Sequence, residues 1–325
     1  MELAARSEVS FAAPERSAGI EGEERDMRIL LAIDGSPSSD RAAQLVGTTS
    51  WPDGSAIRVV HVAAPEAESY LSMPGVVVSA ETIDRIATSS RQRNDELLSS
   101  GAAGLSGPGR AVDTMLLEGR PASAIVDAAR DFHADVIVLG SHGRGTLGTA
   151  LLGSVSSEVV EYATTPVLVA RTTSIRRLAL ADDGSGPAVA ARELVERMPG
   201  FQGHAVRVIS VSERQPGWFG WLEPEAAGEI QAFEDALQAG RKQHEELAAA
   251  SAAQLTAAGL AAEADAPIGD PGTEIARAAQ DFGADLIVMG TRGQTGLERL
   301  LLGSVVRKVL HHAHCSVLVI RPPPG

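Results

Sequence analysis

The sequence predicts an α/β protein built from two tandem doubly wound units, each a five-stranded parallel sheet with helices on both faces. Three observations carry this reading. Short continuous apolar runs, such as Arg28–Ile33 and Val136–Leu139, read as strands buried on both faces. They alternate with stretches of helical periodicity, the order that requires crossover connections and a parallel sheet. The pattern then restarts. Leu178-Ala-Leu-Ala-Asp-Asp183-Gly-Ser185 repeats Ile29 to Ser36, Gly119-x-Pro121 returns as Gly269-x-Pro271, and Gly140 returns as Gly290, all at an offset of 149 or 150 residues. An offset this constant marks an internal duplication.

The elements follow in order. The first strand, Arg28–Ile33, ends at Asp34-Gly-Ser36. Pro37 fits the first turn of a helix with Ala42, Ala43, Leu45 and Val46 on its apolar face. Ala56 to Val62 predicts the second strand, and Ala63 to Pro74 a loop. Ser79 to Leu98 predicts a helix with Ile83, Ile86, Leu97 and Leu98 toward the core, and Gly101 to Gly109 a turn-rich break. Val112 to Leu117 reads as the third strand, Pro121 to Phe132 as a helix, and Asp135 to Leu139 as the fourth strand. The stretch GSHGRGTLGTALLGS, Gly140 to Ser154, comes next. A helix over Ser154 to Tyr162 and a fifth strand over Val167 to Ala170 close the unit. Units over 27–172 and 175–322 are predicted. The joint Thr172-Thr-Ser174 is too short for a free linker, so the halves are expected to pack together. Residues 1–26 read as a flexible N-terminal extension, or as an over-long start before Met27.

Composition narrows the function classes. The chain has 325 residues, 44% hydrophobic and 22% charged, with a formal net charge of −14. That balance argues against a nucleic-acid partner, which would need a basic face. A small anion stays compatible, because a local nest of backbone N–H groups outweighs a distant field. No apolar run approaches the roughly 18 residues of a membrane span, and residues 1–26 lack the apolar core of a signal peptide. A single cysteine, Cys315, permits no internal disulfide. These features predict a cytoplasmic protein without membrane contact.

The chemistry points to the glycine stretch. The spacing Gly-x2-Gly-x9-Gly-Ser-Val occurs twice, from Gly140 and from Gly290 (GTRGQTGLERLLLGS), each time after an apolar strand and before a helix. A strand that runs through glycines into a helix N-terminus offers spare N–H groups to an anion. In open parallel sheets, ligands bind beyond the strand C-termini where the strand order reverses. For an order of 3-2-1-4-5 that point lies between strands one and four. Asp34 then faces the Gly140 loop, an acid suited to a ribose hydroxyl opposite a cradle suited to phosphates. Ser154 sits where it can cap the last helix or donate to a phosphate, and the end of strand two at Val62 offers backbone groups to a base edge.

With these motifs the chain resembles the universal stress protein family in its tandem form, over nearly all of residues 27–322. The resemblance implies the adenine nucleotide alpha hydrolase-like fold. It implies a site made in the first half by Asp34, Val62, Leu139, Gly140, Gly143, Gly153, Ser154, Val155 and Ser156. In the second half it implies Asp183, Val211, Met289, Gly290, Gly293, Gly303, Ser304 and Val305. It further implies ATP, with magnesium where the phosphates carry it, or another adenine nucleotide, bound in a regulatory stress-response role with at most slow hydrolysis. Family members dimerise through the fifth strand. Here Val167–Ala170 and Val317–Ile320 are expected to pair within one chain as a pseudo-dimer, and a further homodimer stays open.

The second copy departs in three places: Asp182 for Ile33, Val306 for Ser156, and Thr291-Arg292 for Ser141-His142. The added carboxylate is expected to weaken the second site and Arg292 to strengthen it, and the first site is ranked higher. An enzyme reading, as ATPase or nucleotidyl transferase, lacks a P-loop lysine: Lys242 and Lys308 are the only lysines and neither follows a glycine loop. His142, without a counterpart histidine, reads as a phosphate contact or an exposed loop residue before a general base. A nucleotide-free interaction module is the remaining alternative. His311, His312, His314 and Cys315 have metal-like composition but sit at a helix end where cations are favoured by the dipole alone. The aromatic insertion Gln215–Leu222, with two of the three tryptophans, reads as packing over its own helix before a lid or partner patch.

Overall fold

The computed structural model describes residues 26–63, 79–107, 109–143, 152–213, 227–291 and 302–321. The expectations for residues 1–25 and for the aromatic insertion lie outside these residues.

The first half runs β1 (Arg28–Ala32), α1 (Pro37–Thr48), β2 (Ala56–Val62), α2 (Ala80–Ala102), β3 (Ala111–Leu117), α3 (Pro121–Asp131), β4 (Val136–Gly140), α4 (Ser154–Tyr162) and β5 (Val167–Ala170). The second half runs β6 (Arg177–Ala181), α5 (Gly186–Arg197), a 3-10 turn (Pro199–Phe201), β7 (Ala205–Ile209), β8 (Ser212–Glu213), α6 (Ala227–Ala257), β9 (Ala261–Asp265), β10 (Ile268–Gly269), α7 (Pro271–Phe282), β11 (Leu286–Gly290), α8 (Ser304–His312) and β12 (Ser316–Ile320). The short strands β8 and β10 pair with each other outside the main sheet.

Each half has the predicted parallel order, β3-β2-β1-β4-β5 and β9-β7-β6-β11-β12. The two five-stranded sheets join at their fifth strands, the pairing expected within the chain. β5 and β12 pair antiparallel, with Leu168 opposite Leu318 and Val167 and Val169 opposite Val319 and Val317, so ten strands form one sheet. The register is self-complementary about Leu168 and Leu318, the signature of a two-fold contact made within a single chain. Two arginines reinforce it. Arg171, after β5, donates from Nη2 to the Leu310 carbonyl (2.5 Å) at the end of α8. Arg321, after β12, donates to the carbonyls of Val160 (2.8 Å) and Glu161 (2.6 Å) at the end of α4. Each half thus caps the last helix of the other with a cation, where the orphan carbonyls and the helix dipole favour one.

Helices cover both faces, and the apolar runs explain why. Ile29, Leu30 and Leu31 of β1 alternate between two cores, and all three are fully buried. One core joins the sheet to α3, α4, α7 and α8 through Ile125, Val159, Ile275 and Val309. The other joins it to α1, α2, α5 and α6 through Leu45, Leu98, Val195 and Leu255. A strand buried on both faces has no polar side to alternate with, so its sequence is a continuous apolar run.

Helix α2 continues to Ala102, past the break expected at Gly101. A Cβ at Gly101 would collide with the Ile33 side chain. The glycine is there for close packing of the last helical turn on the end of β1, not for a turn.

Candidate functional site

The site grows from the end of β1. Asp34-Gly35-Ser36 makes a tight turn that only glycine adopts without strain, with Gly35 at φ 74°, and Asp183-Gly184-Ser185 repeats it with Gly184 at φ 75°. The aspartate side chain holds the turn: Ser36 N donates to Asp34 Oδ1 (3.0 Å), and Ser185 N donates to Asp183 Oδ1 (3.0 Å). Ser36 and Ser185 then cap α1 and α5, accepting from Ser39 N and Ala188 N. Both acids are half-buried at the mouth.

β1 and β4 are neighbours and the strand order reverses between them, so Asp34 and the Gly140 loop meet. A Cβ at Gly143 would stand 2.9 Å from Asp34 Oδ2. Gly153 closes the loop from the other side: its N–H donates to the Ser141 carbonyl (2.8 Å), and a Cβ there would stand 3.3 Å from His142 Cα. The first half therefore brings Asp34, Gly140, Gly143 and Gly153 together. Leu139 is buried beneath them, Val62 ends β2 half-buried, and Val155 is half-buried in the first turn of α4.

Three expectations change. Gly140 is needed first by packing, since a Cβ there would stand 2.6 Å from the Ser38 carbonyl carbon; Gly290 would likewise meet Pro187 Cβ at 2.6 Å. Ser154 does not cap α4. The N-cap is Gly153, and the exposed Ser154 makes no side-chain cap bond. Ser156 turns inward: it is buried, and its hydroxyl donates to the Gly140 carbonyl (2.8 Å), bracing the loop from behind.

The second half places Asp183, Met289, Gly290, Gly303, Ser304 and Val305 at matching positions, and Val211 is buried just past β7. Gly303 N donates to the Thr291 carbonyl at 3.3 Å. Gly293 and Arg292 lie outside the described residues. Asp182, expected to add a carboxylate near the ligand, is buried and turned away from the mouth. It accepts from Arg192 Nη1 (2.7 Å), Ser251 Oγ (2.8 Å) and Gly184 N (2.9 Å). Its charge is paired inside the fold, so the reason for expecting a weakened second site fails.

Sequence reasoning missed Ser36 and Ser38. Ser36 Oγ donates to the His142 carbonyl (3.2 Å), while Ser38 Oγ accepts from Ser141 N (3.1 Å) and His142 N (3.3 Å). Together they clamp the first turn of the glycine loop onto α1. The signal was the serine run Ser36-Pro-Ser-Ser39 against Ser185-Gly-Pro-Ala188 in the other copy. Burial, then Arg171 and Arg41, lower the His142 pKa, which keeps its imidazole neutral at pH 7. The His311–Cys315 segment brings no ligand set together: among the described residues no group of three or more His, Cys, Asp or Glu could hold a metal ion. Burial pushes the Cys315 thiol up to about 11.

Comparison with known proteins fits this architecture. A family model described as the universal stress protein family matches residues 27–171 and again 174–321. A universal stress protein of Thermus aquaticus is 39% identical over 143 residues, 44% of this chain and 97% of its own length. One from Mycolicibacterium smegmatis is 25% identical over 304 residues, covering 90% of this chain and 97% of that protein. The solved structure of a universal stress protein from Archaeoglobus fulgidus shares the fold at a TM-score of 0.58 and 21% identity, over 91% of this chain and 97% of that one. With both halves matched, the chain belongs to the universal stress protein family.

Proposed function

We propose that the chain is a cytoplasmic regulator that binds ATP, or another adenine nucleotide, chiefly in its first half. The observation that carries this is the approach of Gly143 to the Asp34 carboxylate at the point where the strand order reverses. An acid against a loop without side chains suits a ribose hydroxyl on one side and phosphates on the other. In this reading Asp34 holds the ribose, backbone groups at Val62 meet the base, and Gly140, Gly143, Gly153 and Ser154 line the phosphates. Leu139, Val155 and the inward-turned Ser156 support them. Asp183, Val211, Met289, Gly290, Gly293, Gly303, Ser304 and Val305 form a second site, ranked lower because Val306 stands where Ser156 braces the first loop by its hydroxyl. Magnesium arrives with the phosphates. The net charge of −14 opposes a nucleic-acid partner, and among the described residues no helix is long and apolar enough to cross a membrane.

The test is native mass spectrometry of the purified chain with a thermal shift on adding ATP. A bound adenine nucleotide, or a rise in Tm that grows with ATP concentration, is expected. A nucleotide-free chain that ATP fails to stabilise would refute the reading.

A further inference from the structure

His142 Nε2 is the one buried side-chain nitrogen or oxygen without a hydrogen-bond partner among the described residues. Its other ring nitrogen is fully engaged, 2.9 Å from Ser141 Oγ. The direction of that bond follows from counting donors. Ser38 Oγ receives three groups that can only donate: Arg41 Nη2 (3.2 Å), Ser141 N (3.1 Å) and His142 N (3.3 Å). Its lone pairs are saturated, so its own proton goes to its remaining neighbour, Ser141 Oγ at 3.2 Å. Ser141 Oγ then accepts from Ser38, and donating its own proton to His142 Nδ1 leaves the fewest groups unpaired: with Nδ1 as the donor, both the Ser141 proton and the Nε2 lone pair would lack a partner among the described residues. A ring that accepts at Nδ1 and is neutral carries its proton on Nε2. A buried N–H donor without an acceptor is costly, because it has given up its water and gained no partner. His142 lies in the turn between the first two glycines, next to Gly143, where a Cβ would stand 2.9 Å from Asp34 Oδ2.

We propose that Arg41, Ser38 and Ser141 form a one-way hydrogen-bond relay that fixes His142 as its Nε2–H tautomer and makes it a binding residue for a phosphate oxygen in the first half alone. The contact rests on the nucleotide reading above; the relay does not. The second half has no relay. Pro187 stands at the Ser38 position, against the strand-four glycine in the same way, Ala190 stands at Arg41, and Thr291-Arg292 replace Ser141-His142. There the Thr291 N–H donates to the Ile320 carbonyl instead (3.0 Å). A neutral N–H whose direction is set by the fold also differs from an arginine in kind. It rewards an acceptor at one position and contributes no long-range attraction.

Two measurements on the full chain test this. Long-range proton–nitrogen NMR of histidine-labelled protein, with His142 assigned by His142→Gln, reads the tautomer without ligand. The protonated Nε2 form is expected, becoming a mixture in Ser141→Ala and in Ser38→Ala; thermal denaturation confirms that each variant folds. A ring protonated on Nδ1, or a tautomer unchanged in both folded variants, would overturn the relay. Calorimetry with ATP and with adenosine reads the contact. His142→Ala is expected to lose roughly tenfold in ATP affinity, the range for one hydrogen bond to a charged group, with adenosine unaffected. His142→Gln, whose amide reaches toward the Nε2 position, is expected to recover part of the loss. Wild-type ATP binding that His142→Ala leaves unchanged would overturn the contact alone. A wild-type chain that binds neither ligand would overturn the contact together with the nucleotide reading, and the tautomer would still decide the relay.

Discussion

Where the first half sets Ile33 against Gly101, the second sets Asp182 against Ser251, and Arg192 reaches in from α5 to complete an ion pair. Where the first half clamps its glycine loop with Ser38, the second offers Pro187, which has no hydroxyl. The strands beneath are nearly the same in both. The duplicated unit has kept its apolar frame and redistributed its polar groups: toward the mouth in the first half, into the packing between β6, α5 and α6 in the second. Polar wiring is a local choice once the sheet is built, because each network needs only its own donors and acceptors satisfied.

The largest expected difference between the halves concerns the buried ion pair. Asp182 is fully buried and Arg192 nearly so. Arg192→Met strands the carboxylate and is expected to cost about 3–5 kcal/mol in urea denaturation. Replacing the group as a whole by the first half's residues (Asp182→Ile, Arg192→Ala and Ser251→Gly) is expected to recover most of that. A single Arg192→Met that unfolds like the wild type would mean that the pair has no role in holding the half together.

Next in size is a shared feature. Gly140→Val and Gly290→Val each drive a side chain into the backbone at the start of the neighbouring helix. Both are expected to destabilise by about 1–3 kcal/mol or more, each to a similar extent. A large effect in one half only would show that strand and helix do not meet alike in the two copies. These variants are therefore poor probes of ligand binding. Gly143→Ala is the cleaner one, since the added methyl meets only the end of the Asp34 side chain.

Binding should separate the halves again. Asp34→Ala is expected to weaken ATP about tenfold, as for loss of a charged hydrogen-bond acceptor, and Asp183→Ala less; calorimetry decides, and equal losses would end the ranking of the sites.

The smallest difference is at the start of the helix before the fourth strand. Asp270 caps α7, accepting from Thr273 N, while Arg120 at the same place before α3 makes no cap bond. Asp270→Ala is expected to cost about 1 kcal/mol and Arg120→Ala close to nothing. Hydrogen bonds from Lys308 and Thr273 hold the Asp270 carboxyl down at about 2. Because the folded-state value lies below the ordinary one, its contribution is whole above pH 4 and fades as pH falls toward 2. The pair is solvent-exposed, so the acid-denaturation midpoint should shift only slightly in Asp270→Asn.

The frame was legible in the sequence because it is local and repeated. Apolar runs such as Val136–Leu139 announced doubly buried strands, and the constant offset from Gly140 to Gly290 announced two units. The glycine spacing and Asp34 placed the mouth, since strand order alone brings them together. Side-chain partners at long range were not legible. Nothing in the residue types says that Ser156 turns inward to Gly140 rather than outward, or that Asp182 finds Arg192 and Ser251. Gly101 was misread because a glycine that permits close packing and one that permits a turn look alike until the neighbour, Ile33, is in place. Comparing the copies narrows this gap, because Ile33 with Gly101 and Asp182 with Ser251 change together.

The join of β5 to β12, locked by Arg171 and Arg321, has a consequence for assembly in solution. Two halves on one chain meet at a local concentration that dilution cannot lower. The pairing of the two halves therefore does not depend on expression level. The sheet edge used for the join is already paired, so a single-unit relative would have to displace a tethered half to take its place. A cell making this chain fixes the pairing of its two unlike halves at translation, one copy of each per molecule.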